Sequence, residues 1–297
     1  PDPLVPRHLT FEIDERSNWA GEVEQPAEPV AALARHLRAE GVEAVAVCLL
    51  HAYANGANEE AVREALRAGL PGVPICLSSE ICPEIGEYER ASTTTVNAAV
   101  MPKVGRYVAS LQDELANFGP DCQIYIMQSN GGAMGPEVAA NKSIHTMYSG
   151  PAGGVAGAQL YAREAGLKNA ITLDVGGTSA DVGVIGNDHL QEVREGYIGR
   201  LPIRIPMLEI HSVGAGGGSI AWIDGGDALR VGPHSAGADP GPMCYARGGR
   251  EPTLTDAHVV LGAIGAATRL GGRVALDAPQ ATEGLKELAR KLDMEAP

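Results

Sequence analysis

Residues 171–186 read ITLDVGGTSADVGVIG, and no other stretch restricts the fold as much. Apolar, β-branched runs stand on either side of Gly176-Gly177-Thr178, so the chain must run out along one strand and return along the next. Paired glycines allow a turn too tight for side chains. Asp174 stands at the end of the outgoing run and Asp181 opens the returning one. An ordinary hairpin would explain the glycines without explaining the two aspartates that bracket them. A turn of this kind presents bare N–H groups to phosphate oxygens, and its carboxylates can hold Mg2+ directly or through water. Asp174 and Asp181 are therefore the candidate catalytic and metal-holding residues, and Gly176, Gly177, Thr178 and Ser179 the candidate phosphate contacts.

A second glycine-dense stretch, SVGAGGGS at 212–219, lies between strand-like LEIH and IAWID. Gly214, Gly216, Gly217 and Gly218 could cradle a phosphate or let a nucleotide base lie against bare backbone. The competing reading is a glycine-rich bend between packed strands.

Upstream, the pattern alternates. In EPVAALARHLRAE (28–40), Val30, Leu33 and Leu37 fall at helical spacing, and Gly41 stops that helix before the buried-strand run VEAVAVCLL. A second unit follows, with a helix over 58–69 and a strand around PICLS at 74–78. From Glu87 to Phe118 the pattern is helical, with Pro102 expected to kink or split it, and CQIYIM at 122–127 reads as the next strand. Small residues then crowd SGPAGGVAGA, which predicts a helix that another backbone approaches closely. Two helices, near 255–265 and 280–293, finish the chain. The fold class is α/β, with a boundary near 150 dividing residues 1–150 from 151–297.

The balance of 23 basic against 37 acidic residues gives a net charge of -14, which argues against a nucleic-acid partner. Any phosphate must then be held by local geometry. Five scattered cysteines without a Cys-x-x-Cys pair give neither a disulfide framework nor a zinc site and fit a reducing cytoplasm. No apolar run approaches the roughly 18 residues of a membrane helix, and no signal-peptide profile opens the chain.

Other stretches are less specific. The loop VGPHSAGADPGPMCYARGG is long enough to be functional, and its His234, Ser235, Asp239, Cys244 and Tyr245 could meet a substrate or a partner subunit. A rigid surface loop is an equal reading. His211, His234 and His258, with Asp239 and Asp256, lack zinc-site spacing. In EYERAS, Glu87, Glu89 and Arg90 share a helix, where a solvated or ion-paired face is the default expectation. Cys244 has no paired histidine in sequence, which disfavours a nucleophile.

The small-residue helix followed by strand–Asp-x-Gly-Gly-Thr–strand resembles the connecting helix and second phosphate loop of the actin-like ATPase superfamily, whose fold is also called ribonuclease H-like. Within it, EYERASTTTVNAAVMPKVGRYV (87–108), IMQSNGGAM, SGPAGGVAGA, DVGGTSADVGVI, SVGAGGGSIAWID and VGPHSAGADPGPMCYARGGREPTLTDAH (231–258) resemble the hydantoinase A/5-oxoprolinase family. The likeness implies that residues 1–150 are the remainder of an N-terminal lobe and 151–297 a second lobe. It implies ATP and Mg2+ as cofactors and a hydantoinase B-type partner subunit or domain in an oligomeric enzyme. ATP would phosphorylate the oxygen of a cyclic amide such as a hydantoin or 5-oxoproline, so that water can attack a carbon that resonance otherwise protects. Asp174 and Asp181 would then position Mg2+ and the attacking oxygen, and Thr178 with the Gly176 and Gly177 amides would hold the γ-phosphate.

The sequence departs from the family pattern twice. An earlier Asp-x-Gly-Gly-Thr loop is absent before residue 174, which predicts a partial or shortened member, inactive alone. TLTDAH ends in His258 where the family pattern has Asn. Related family members carboxylate ketones, and that activity, a non-catalytic nucleotide-binding scaffold and a sugar kinase-like phosphotransferase remain open at this point.

Overall fold

The computed structural model describes residues 3–119, 122–265 and 267–294. The chain divides into two compact units, Pro1–Ala156 with Gln191–Leu208, and Gly157–Leu190 with Glu209–Pro297.

In the first unit the helix Ala31–Ala39, strand Val45–Val47, helix Ala57–Arg67 and strand Ile75–Leu77 follow one another. The two strands pair in parallel, Val45 with Ile75 and Val47 with Leu77, so the helix Ala57–Arg67 is their crossover. One face of each helix closes on them. Ala34, Leu37, Val62 and Leu66 are buried together with Val47, Ile75 and Leu77. Each such aliphatic side chain contributes about 1.5–3 kcal/mol by leaving water.

A helix of 29 residues, Glu87–Leu115, follows and carries Pro102 inside it without being divided. Val96, Ala98 and Met101 on this helix meet Ile203, Ile205 and Met207 in a second core. Those last three come from the antiparallel hairpin Glu192–Ile198/Leu201–Leu208. The hairpin therefore belongs to the first unit although it follows the composition break near residue 150. Asn97 is fully buried, donates to the Asn141 carbonyl at 3.0 Å and accepts the Ile144 N–H at 3.0 Å, which fixes the segment beyond the helix. The strand expected over 122–127 is confined to Ile126–Met127.

The helix Ser149–Glu164 carries the small-residue segment. A Cβ at Gly153 would meet only the Met127 side chain, at 3.6 Å, and Cβ atoms at Gly150 and Gly157 would meet nothing within 4 Å.

In the second unit, the strand Ala180–Gly186 lies between Ala170–Val175 and Ile210–Val213, antiparallel to both. A further hairpin pairs Ser219–Ile223 with Leu229–Ser235, so the segment read as a loop from 232 begins as strand. The closing helices are Leu254–Val260 and Ala278–Lys291, the first capped by a Thr253/Asp256 capping box.

Candidate functional site

The hairpin read from the sequence closes on a four-residue turn. Asp174 lies directly across the ladder from Asp181 and Val175 from Ala180, leaving residues 176–179 to reverse the chain. Within the turn, the Gly176 N–H donates to the Ser179 carbonyl at 2.8 Å. Among the described residues, the N–H groups of Gly177, Thr178 and Ser179 meet no acceptor. Three consecutive amides without a protein acceptor on one exposed turn are donors available to an anion.

Direct pairing puts both carboxylates on one face of the sheet. Like charges opposite one another destabilise a strand pair, a cost that a cation between them would remove. Asp181 is held by a hydrogen bond from the Ser212 hydroxyl, because Ser212 is its cross-strand partner on the other side. Among the described residues no cluster of three or more His, Cys, Asp or Glu could hold a metal ion. A cation here would therefore rest on two carboxylates, completed by phosphate oxygens and water, which is the ligand set Mg2+ commonly takes. The residues fit that ion.

The glycine loop meets the same turn from behind. Gly217 N–H donates to the Gly176 carbonyl at 2.9 Å, Gly218 N–H to Gly177 at 2.6 Å and Gly216 N–H to Thr178 at 3.3 Å. A Cβ on Gly216 would stand 2.5 Å from the backbone N and C of Thr178, so only glycine allows this approach. The amides of Gly216, Gly217 and Gly218 are thus engaged by turn carbonyls, and their direct effect is to fix the turn. Gly214 lies at the loop's exposed start, 3.3 Å at its Cβ position from Pro233.

Two residues to which no role was assigned from sequence secure this arrangement. Thr255 donates both its N–H and its hydroxyl to the Gly217 carbonyl, each at 2.8 Å. Asp256 is fully buried and accepts from the N–H groups of Met243, Cys244 and Thr253 and from the Thr253 hydroxyl. It ties the 232–252 segment to the helix Leu254–Val260. The spacing Thr-x-x-Asp at 253–256 was the available signal. Burial, aided by the Asp256 carboxylate, pushes the Cys244 thiol up to about 12, which makes it a poor nucleophile at neutral pH.

The pattern described as Hydantoinase/oxoprolinase matches residues 90–296, and that of the Hydantoinase/oxoprolinase N-terminal region matches residues 1–70. The chain is 36% identical over 285 residues to caprolactamase subunit alpha of Pseudomonas jessenii, covering 95% of this chain and 41% of that protein. It is 35% identical over 305 residues to the acetophenone carboxylase gamma subunit of Aromatoleum aromaticum, covering 99% of this chain and 41% of that one. A nucleotide-free structure of acetone carboxylase, from work on ATP-dependent acetone carboxylation, superposes with a TM-score of 0.81 at 31% identity over 99% of this chain and 42% of its own. The chain spans less than half the length of the curated relatives it matches. With both patterns together spanning most of its residues, the chain belongs to the hydantoinase/oxoprolinase family.

Proposed function

We propose that this chain is the nucleotide-handling part of an enzyme that uses ATP to hydrolyse a cyclic amide, a hydantoin or 5-oxoproline, through phosphorylation of the amide oxygen. The observation that carries the reading is the turn at 177–179, whose three free amides stand beside the paired carboxylates of Asp174 and Asp181. In this reading the Gly177, Thr178 and Ser179 N–H groups, with the Thr178 hydroxyl, orient phosphate oxygens. Asp174 and Asp181 hold Mg2+, which when bound neutralises charge on the phosphates. Ser212 keeps one Asp181 oxygen in place, and Gly216 to Gly218 keep the turn from flexing. In this reading residues 1–150 and 151–297 are parts of two lobes of an actin-like ATPase, with Gln191–Leu208 returning to the first, acting in the cytoplasm within a larger protein or with a hydantoinase B-type subunit.

A ketone carboxylase is the second reading, because the relatives include acetophenone and acetone carboxylase subunits as well as a caprolactamase. Calorimetric titration of Mg-ATP separates the nucleotide reading from a purely structural hairpin. Saturable binding that Asp174→Asn weakens at least tenfold, about 1.4 kcal/mol, is expected when the remaining length of the enzyme is supplied. Equal binding by Asp174→Asn would discard the Asp174 role. ATP turnover stimulated by 5-oxoproline or hydantoin favours the hydrolase, and turnover requiring a ketone with bicarbonate favours the carboxylase.

A further inference from the structure

The parallel strands Val45–Val47 and Ile75–Leu77 pair only with each other, so the outer edge of Val45–Val47 is open. The Val45 N–H donates to the Pro74 carbonyl at 2.9 Å, toward the neighbouring strand. Backbone groups alternate in direction along a strand, so those of Ala44, Ala46 and Cys48 point the other way. Among the described residues, the N–H groups of Ala44 and Cys48 meet no acceptor.

A largely apolar cavity of about 600 Å3 follows this edge. Every residue from 42 to 49 lines it, although successive side chains point to opposite faces of a sheet. Leu37 and Leu66, which pack with Val45 and Val47, line it as well. So does Ala98 of the long helix, which belongs to the core that holds Ala44 and Ala46. The helices on both faces therefore extend past the last strand, and the cavity lies between the two layers, where a further strand of the sheet would run.

Parallel sheets are covered on both faces, and a two-stranded sheet is marginal by itself. Here the cover reaches beyond the strands that need it. The long helix turns small side chains, Ala91, Ala98 and Ala99, toward the cavity and leaves it wide. The edge is also held in place at its end. Leu49 donates its N–H to fully buried Glu59 at 2.9 Å, and its carbonyl accepts from Arg90 at 2.6 Å. Exposed edges are usually blunted by proline, charge or a bulge, and Val45–Val47 carries none of these.

We propose that the outer edge of Val45–Val47 binds an added β-strand, an extended polypeptide segment of uncharged, β-branched residues seated between the helix layers. Its main chain bonds to Ala44, Ala46 and Cys48, and apolar side chains on both of its faces fill the cavity. A second copy of the chain cannot serve through its own edge, because that edge lies at the foot of the same slot, between walls from residues 4–13 and 91–103. The caprolactamase and acetophenone carboxylase relatives, of which the chain covers 41%, carry further polypeptide from which such a strand can come.

The test adds a probe strand to the full chain, a fluorescent nonapeptide of alternating valine and threonine with a lysine at each end for solubility. Saturable binding by fluorescence anisotropy is expected, with hydrogen exchange at the Ala46 and Cys48 amides slowed at least about tenfold. The same peptide N-methylated on its central amides keeps its apolar surface and loses its donors, and is expected to bind at least about tenfold more weakly. Ala99→Trp, at an exposed position of the helix wall, fills the slot while leaving the strand sequence unchanged, and is expected to weaken the parent peptide. Should that variant unfold by circular dichroism, the two peptides compared on the wild-type chain decide. Absence of binding by the parent peptide overturns the proposal, and so does equal binding by the N-methylated one, which would make the cavity a site for apolar matter of any kind. A chain that dimerises in sedimentation, and loses the dimer in Ala99→Trp, would assign the edge to a second copy and overturn it as well.

Discussion

Gly216 shows how one missing methyl group can set the geometry of a turn five strands away in sequence. A Cβ there would press on the backbone of Thr178 and Ser179 at 2.5–2.6 Å, and backbone cannot yield as the end of a flexible side chain can. Gly216→Ala is therefore expected to lose about 1–3 kcal/mol of stability and to displace the turn that carries the free amides. Gly214→Ala, whose Cβ would meet Pro233 at 3.3 Å, is the milder comparison. Thermal unfolding of both variants beside Mg-ATP titration checks this. If Gly216→Ala melts like wild type and binds like it, the turn is not braced by this contact. The sequence made the turn and its two aspartates legible because a Gly-Gly-Thr reversal between apolar runs has few other solutions. It hid the use of the Gly216–Gly218 amides, since their acceptors lie some 40 residues away along the chain. The Glu87–Arg90 ion pair was legible from helix spacing, whereas the burial of Arg90 was not, because it depends on Leu49 and Tyr53.

At the scale of elements, periodicity located the units Ala31–Ala39/Val45–Val47 and Ala57–Arg67/Ile75–Leu77, where apolar spacing and glycine or proline punctuation agree. It failed where pairing decides, as with the two-residue strand Ile126–Met127 and the strand Leu229–Ser235 that enters the presumed loop. The helix Leu254–Val260 is short, so its position depends on its cap and on Asp256. Asp256→Ala would leave three buried N–H groups without an acceptor, and a loss of at least about 3 kcal/mol is expected. Cys244, which donates its N–H to Asp256 at 2.7 Å, links this element to pH. Its thiol is raised from 9.0 to about 12 in the folded protein, so the folded state favours the protonated form. The contribution is full below pH 9.0 and is lost as pH rises toward about 12. Over that interval, urea unfolding of Cys244→Ala should show a shallower alkaline decline than wild type, by up to about 1.36 kcal/mol per pH unit. Equal slopes would assign the decline to other groups.

For the whole molecule, the order of segments in sequence differs from the order in which cores are completed. The first unit takes Gln191–Leu208 from beyond the hairpin of Asp174 and Asp181, and that segment brings Ile203 at 0% exposure with buried Ile205 and Met207 into contact with Val96 and Met101. It also brings backbone order, since the Arg204 N–H donates to the Thr93 hydroxyl at 2.9 Å and the Leu208 N–H to the Ser129 carbonyl at 2.8 Å. A chain cut after residue 156 would expose the faces these groups cover. Three large apolar side chains at about 1.5–3 kcal/mol each match the marginal stability of a domain of this size. Residues 1–156 alone are therefore expected to keep helical far-ultraviolet circular dichroism while losing cooperative unfolding. A chain in which residues 157–190 are replaced by a flexible linker, so that Gln191–Leu208 is retained, should unfold in one sharp transition. Cooperative melting of residues 1–156 without the hairpin would mean that the parallel strands and the long helix are self-sufficient, and that the returning segment is an addition to a finished core.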